Sequence, residues 1–109
     1  MLVCKVCGYV FDGDKAPDAC PKCSAGPDKF EKLGEKEAGL IERSRYTNSL
    51  HTQLMSMLEE VVALTEEGIK DDLDPGCRRL FAKTQAHAIE SIQMVKAELL
   101  GHMKKGKWG

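Results

Sequence analysis

Strong charge of one sign and long apolar runs are both missing from this chain of 109 residues. Its 16 basic side chains nearly balance 17 acidic ones, so a net charge of −1 gives no electrostatic basis for a nucleic-acid surface. No apolar run approaches the roughly 18 residues that cross a bilayer, and the first residues lack the apolar core of a signal peptide. We therefore expect a cytoplasmic protein that binds neither nucleic acid nor membrane.

Familiar catalytic motifs are also absent. The sequence contains no glycine-rich phosphate loop, no dinucleotide fingerprint and no evident pairing of a nucleophile with a base. Each of these motifs supplies a specific step of a reaction, so their absence removes the usual grounds for assigning one. The sequence therefore favours a carrier or a complex subunit over an enzyme.

Cysteine, by contrast, is concentrated at the start of the chain. Two Cys-x-x-Cys hooks, Cys4 with Cys7 and Cys20 with Cys23, are separated by 12 residues. Two such hooks form a four-thiolate tetrahedral cage, which suits zinc or a single iron. In a reducing compartment this pattern indicates a metal site rather than disulfides. The fifth cysteine, Cys77, stands alone, and we expect it to pack as a small apolar residue.

Residues 1–34 are predicted to form a small metal-binding domain. A segment this short cannot build a sufficient core, so a metal would have to stabilise it. Short strands are expected at 1–6 and 9–12, and Gly8 permits a turn with positive φ directly after the first hook. Three aromatic residues are expected to cover the cage: Tyr9, Phe11 and Phe30.

Residues 35–109 are predicted to form an antiparallel two-helix hairpin. The pattern places one helix at about 38–69 and a second at about 75–102, where Asp74 is suited to cap the second helix and Pro75 to begin it. Apolar side chains recur at helical spacing on both. The predicted stripe of the first helix is Leu40, Thr47, Leu50, Leu54, Met57, Val61 and Leu64. Met55, Leu58 and Val62 widen this stripe, and His51 also lies on it. That of the second is Phe81, Gln85, Ala88, Ile92, Val95, Leu99 and Met103.

Two helices alone cannot bury two wide apolar stripes. The hairpin is therefore expected either to complete a four-helix bundle as a homo-oligomer or to dock as a subunit of a larger complex. The sequence does not decide between these two arrangements.

The residues around the hooks resemble the rubredoxin-type domain of rubrerythrins over residues 2–34. The Gly8-Tyr9 step after the first hook, the Cys20-Pro21 step and the trailing Phe30 agree in order and spacing, whereas Ser24 stands where glycine is commonest. The resemblance implies one iron that relays single electrons between a donor and an acceptor oxidoreductase. Its implied ligands are Cys4, Cys7, Cys20 and Cys23. A structural zinc ribbon with an adaptor role remains the alternative, because zinc proteins use the same hooks.

Rubrerythrins also carry a ferritin-like di-iron domain, which needs inward Glu-x-x-His motifs. The hairpin contains none; the nearest groups are Glu59 and Glu60 on the first helix, with His87-x-x-Glu90 and Glu98-x-x-x-His102 on the second. A dimer could assemble Glu60, His87 and Glu90 from two copies. A di-iron peroxidase formed in this way is therefore a further alternative function.

Overall fold

The computed structural model describes residues 1–109, which divide into two compact units. The first unit comprises residues 1–45 together with 105–109, and the second comprises residues 46–104. The predicted domain boundary after residue 34 lies between the last strand and the first helix. As a division between two domains it stays a prediction. Neither helix has a stretch long and apolar enough to cross a membrane.

The first unit contains a three-stranded antiparallel sheet. Its strands are β1 (Leu2–Cys4), β2 (Val10–Phe11) and β3 (Phe30–Lys32), in the order β2-β1-β3. In the central strand, Cys4 lies opposite Phe30 of β3. A 3-10 turn at Pro27–Lys29 leads into β3. The sequence pattern did not predict the strand β3.

Two long helices follow the sheet, α1 at Glu35–Asp71 and α2 at Pro75–Lys104. The predicted fold class, a small metal-site knuckle followed by a helical hairpin, is thereby confirmed as architecture. The helix α1 begins three residues earlier than predicted because the Gly34 N–H donates to the Glu37 carboxylate at 3.2 Å, which satisfies a free donor at the helix start. The predicted cap of α2 is confirmed, since the Cys77 N–H donates to Asp74 Oδ1 at 2.7 Å.

Within the second unit, the helices meet along a seam of side chains spaced by three and four residues. The glycine at position 68 makes room for the Phe81 ring, because a Cβ there would lie 2.4 Å from Phe81 Cδ2. The Gln85 amide donates to Glu66 at 2.9 Å. On α1 the least exposed seam positions are Asn48, His51, Met55, Leu58, Val62 and Thr65; on α2 they are Phe81, Gln85, Ala88, Ile92, Val95, Leu99 and His102.

The predicted apolar stripe of α1 holds in part. The seam contains its widening residues Met55, Leu58 and Val62, whereas several of the other residues are exposed. Leu50 and Leu54 are each 46% exposed, and Met57 and Leu64 are each 64% exposed, so these side chains lie outside the buried seam. Polar side chains share the seam with its apolar residues, and their hydrogen bonds are satisfied there: Thr65 Oγ1 donates to the Val61 carbonyl at 2.8 Å. The predicted stripe of α2 holds except at its end, where His102 replaces Met103.

One polar cluster lies inside this seam. The buried His102 ring has Nδ1 2.5 Å from Asn48 Oδ1 and Nε2 3.3 Å from a Glu98 carboxylate oxygen. The ring of His51 meets the ring of His102 edge to face, with centroids 5.8 Å apart. No buried side-chain nitrogen or oxygen in the chain lacks a partner, so this cluster is a satisfied network within the hairpin.

Candidate metal centre

The first hook is a tight backbone loop at the end of β1. The Gly8 N–H donates to the Cys4 carbonyl, and the Cys4 N–H donates to the Tyr9 carbonyl, each at 2.8 Å. Gly8 closes the loop at φ +80°, a conformation that glycine adopts without steric cost. The loop is tied to the sheet by the Lys5 N–H, which donates to the Lys29 carbonyl at 2.9 Å.

The second hook repeats the same hydrogen-bond pattern. The Ser24 N–H donates to the Cys20 carbonyl, and the Cys20 N–H donates to the Ala25 carbonyl, again at 2.8 Å. The residue that closes this loop is Ser24, at φ +63°. The chain therefore builds one loop twice, with a serine in a backbone conformation that favours glycine.

The two loops bring the four predicted sulfur atoms together. The Sγ atoms of Cys4 and Cys23 lie 3.7 Å apart, as do those of Cys7 and Cys20, and all four lie within 4.8 Å of one another. A disulfide would hold its sulfurs at about 2.05 Å, so these are four separate thiols. A tetrahedron with metal–sulfur bonds of about 2.3 Å has edges of about 3.8 Å. The sulfur spacing and the all-thiolate donor set thus fit a tetrahedral ion such as zinc or iron.

The cage is buried on one side only. Cys4 and Cys20, the first cysteine of each hook, are 1% and 2% exposed, whereas Cys7 and Cys23 are partly exposed. The three predicted covering aromatics, Tyr9, Phe11 and Phe30, are all half-buried. The site therefore lies near the surface, with the second cysteine of each hook nearer to solvent.

Backbone donors and neighbouring thiols set the protonation of the second hook. Burial opposes ionisation of Cys20, but N–H groups of Cys23 and Lys22 that point at its sulfur outweigh it and lower the pKa to about 7. The Ala25 N–H favours the Cys23 thiolate, yet burial and the adjacent sulfurs of Cys7, Cys20 and Cys4 raise its pKa to about 12. Ionisation of Cys23 is disfavoured because negative charge on a neighbouring sulfur would repel the new charge. A bound cation removes that repulsion.

The sheet, the paired hooks and the four-sulfur cage define a rubredoxin-like domain. Residues 3–31 match the family model of the rubrerythrin, rubredoxin-like domain. This segment of the chain is therefore a rubredoxin-like domain of the rubrerythrin type, as the resemblance implied, and both helices lie outside it.

A curated relative matches the chain over a similarly short stretch. Reverse rubrerythrin-1 of Clostridium acetobutylicum is 47% identical over 36 residues, which make up 33% of this chain and 20% of that protein. The match thus spans about a fifth of the relative's length. No solved structure matches the chain.

The other candidate residues do not form a second metal cluster. Four of the residues considered for a di-iron site are exposed: Glu59, Glu60, His87 and Glu90. The remaining pair, Glu98 and His102, forms a contact within α2. The four cysteines are the one grouping of three or more potential metal ligands in the chain. Cys77 is half-buried, and its thiol donates to Asp74 Oδ2 at 3.4 Å; this hydrogen bond and burial raise the pKa of Cys77, which disfavours a reactive thiolate.

One feature of the molecule escaped the sequence reasoning. The burial of His102 was missed, although its position four residues after Glu98 and in step with Val95 and Leu99 carries that signal.

Proposed function

We propose that this protein holds one iron ion between its four cage cysteines and relays single electrons between a donor and an acceptor oxidoreductase. The observation that carries the proposal is the tetrahedral spacing of the four sulfurs, with two pairs at 3.7 Å, in a segment of the rubrerythrin rubredoxin-like type. The proposed ligands are Cys4, Cys7, Cys20 and Cys23. We place the protein in the cytoplasm, where thiols stay reduced.

The surroundings of the sulfurs suit this role. When bound in such a cage, iron alternates between the ferric and ferrous states and so carries one electron. The hooks hold the sulfur positions through backbone hydrogen bonds of 2.8 Å, which limits rearrangement when the charge of the site changes. The N–H donors at Cys20 and Cys23 stabilise thiolate charge, and burial of Cys4 and Cys20 keeps water from one side.

Metal analysis together with a visible spectrum tests the proposal most directly. Protein purified from its native host is expected to contain one iron per chain and to be coloured. The colour should be lost on adding one reducing equivalent per chain and restored by reoxidation over repeated cycles. Zinc has a filled d shell and gives no such spectrum. A colourless protein with stoichiometric zinc would show instead that the cage is structural, as in the zinc-ribbon alternative.

The same measurement addresses the di-iron alternative. Three irons per chain, or one iron per chain plus a shared pair in a dimer, would contradict a function that rests on the cage alone. One iron per chain, with no metal lost when His87 is replaced by alanine, is the result expected here. Because His87 is exposed, this substitution should leave the hairpin folded.

A further inference from the structure

One arginine joins three segments of the first unit. The Arg45 guanidinium, on α1, donates to both carboxylate oxygens of Asp12, at 2.8 and 3.1 Å, and its Nε–H donates to the Gly109 carbonyl at 2.8 Å. Asp12 directly follows β2, and Gly109 belongs to the segment 105–109, which follows α2 and lies within the first unit. We call the contacts between Asp12, Arg45 and Gly109 the arginine clasp. The paired hydrogen bonds to one carboxylate fix its geometry.

The segment 105–109 packs against the first unit as well as bonding to it. A Cβ built at Gly109 would lie 2.7 Å from Val10 Cγ2 and 3.0 Å from Ile41 Cγ2, so the backbone there is in close contact with both side chains. Val10 is a residue of β2, and Ile41 is buried. Gly106, at φ +71°, turns the chain after α2 in a conformation that favours glycine. The segment therefore holds β2 from two sides, through Asp12 and through Val10.

The strand held by the clasp is the return arm of the first hook. The strand β1 ends at Cys4 and β2 begins at Val10, so the first hook is the turn between two paired strands. The strand β2 has only two residues, lies at the edge of the sheet and pairs only with β1. So short a pairing is marginal without further contacts. Anchoring β2 beyond its last residue therefore helps to keep the hook closed around Cys4 and Cys7.

The second hook has no contact with the clasp. It lies between β2 and β3, and none of the clasp hydrogen bonds involves residues 20–25. Its closing bond, from the Ser24 N–H to the Cys20 carbonyl, has the same length as the bond from the Gly8 N–H in the first hook, 2.8 Å. The two hooks thus provide an internal comparison, because separation of β2 from β1 should loosen only the first.

We propose that the arginine clasp and the segment 105–109 retain the metal ion by keeping the first hook closed. When the clasp opens, β2 separates from β1 and the first hook loosens. Cys7, the more exposed cysteine of that hook, is then free to leave the ion. The segment after α2 therefore contributes to how long the ion stays bound. The proposal holds for any tetrahedral ion, so it and the electron-transfer function can each fail without the other.

Transfer of zinc from the loaded full chain to an excess of chelator tests the proposal. Arg45→Met removes all three donors but keeps an apolar stem, and it should raise the zinc dissociation rate roughly three- to tenfold, since the ion pair is partly exposed. Deleting residues 105–109 removes the contact with Gly109 and should raise the rate by a smaller factor. Arg43→Met is the matched control, because Arg43 is exposed on the same helix and takes no part in the clasp. Its rate should equal that of the wild type.

Amide hydrogen exchange in the zinc-loaded protein locates the effect. In Arg45→Met, exchange of the Gly8 N–H should accelerate, whereas the Ser24 N–H should keep its wild-type rate. Circular dichroism must show unchanged helix content, and the deletion variant decides the question if Arg45→Met does not fold. An unchanged zinc dissociation rate would overturn the proposal. Equal acceleration of exchange at Gly8 and Ser24, or equal acceleration of zinc loss by Arg43→Met, would overturn it as well.

Discussion

Ser24 occupies in the second cysteine hook the backbone position that Gly8 occupies in the first. Both residues have positive φ, +63° and +80°, and both donate their N–H to the carbonyl of the leading cysteine at 2.8 Å. A side chain in this region costs roughly 1 kcal/mol relative to glycine. The second hook therefore carries a backbone strain that the first hook avoids.

This pairing predicts opposite effects of two substitutions on metal affinity, because folding and metal binding are coupled in so small a domain. Ser24→Gly should tighten binding about two- to fivefold, and Gly8→Ala should weaken it by about as much. No atom lies within 4 Å of a Cβ built at Gly8, so only backbone strain would act there. Competition with a chelator measures both affinities. Equal metal affinities for the wild type and Ser24→Gly would contradict the inference that Ser24 strains the backbone of the second hook.

The cage predicts a sharp difference between its cysteines and Cys77. Replacing Cys4 or Cys20 by serine should abolish stoichiometric metal binding and unfold the small sheet, since a segment of this size needs a metal to fold. Cys77→Ser should still bind one metal ion per chain. Metal analysis after gel filtration distinguishes the variants, and circular dichroism should show the helices retained. Full metal retention by Cys20→Ser would rule out a four-sulfur site.

Gly68 lies within a helix, where alanine is usually favoured, but here replacement by alanine is predicted to destabilise the hairpin. A Cβ there would lie 2.4 Å from Phe81 Cδ2, so Gly68→Ala must displace the ring and should destabilise the hairpin by roughly 1–3 kcal/mol. Gly101→Ala is the control, because nothing lies within 4 Å of its Cβ, and it should stabilise α2 by roughly 0.5–1 kcal/mol. Urea unfolding followed by helix content gives both values. Stabilisation by both substitutions would show that the ring has room to move.

The buried contact between Asn48 and His102 predicts a non-additive pair. Asn48→Leu leaves a buried ring nitrogen without its partner and should cost roughly 1–3 kcal/mol of unfolding free energy. Replacing both residues by leucine removes both polar groups and should cost less than the single change. A double-mutant cycle in urea measures the coupling. Additive effects would mean that the two side chains contribute independently.

Asp12 predicts a dependence of stability on acid pH. Two hydrogen bonds from the Arg45 guanidinium, at 2.8 and 3.1 Å, lower the pKa of Asp12 in the folded protein. This stabilisation is present above the ordinary aspartate value of about 4 and is lost as the pH falls through the lower folded value. The stability of Asp12→Asn should therefore depend less steeply on pH below about pH 4.

The control for this prediction is Asp14→Asn, which changes an exposed carboxylate that forms no ion pair. Acid also protonates the cage thiolates, so the informative quantity is the difference between each variant and the wild type at the same pH. If Asp14→Asn and Asp12→Asn flatten the profile equally, the contact with Arg45 is not the cause.

The sequence was most informative where the chemistry is local. The two hooks lie within short loops whose geometry follows from their own residues, so the grouping of the four sulfurs could be predicted from the spacing of the cysteines. The cap at Asp74 is equally local. The strand β3 was missed because a three-residue strand forms only through pairing with β1, a contact that no local pattern displays.

The seam of α1 was predicted only in part, for a related reason. Helical spacing points to Met55, Leu58 and Val62 and includes His51, but Asn48 and Thr65 were not expected there. Polar residues are assigned to the surface by default. Asn48 contacts His102 of the other helix, and Thr65 donates to the Val61 carbonyl of its own helix, and neither contact is visible in a hydrophobic pattern.

The uneven exposure of the four cysteines has a consequence for the order in which an electron donor and an electron acceptor can bind. Because Cys7 and Cys23 are the less buried cysteines, the tetrahedral edge between them is the short route between the centre and solvent. Under the proposed relay, donor and acceptor must compete for this one small area and cannot dock at the same time. Turnover should then follow a substituted, double-displacement rate law, and an excess of oxidised acceptor should inhibit competitively against the donor.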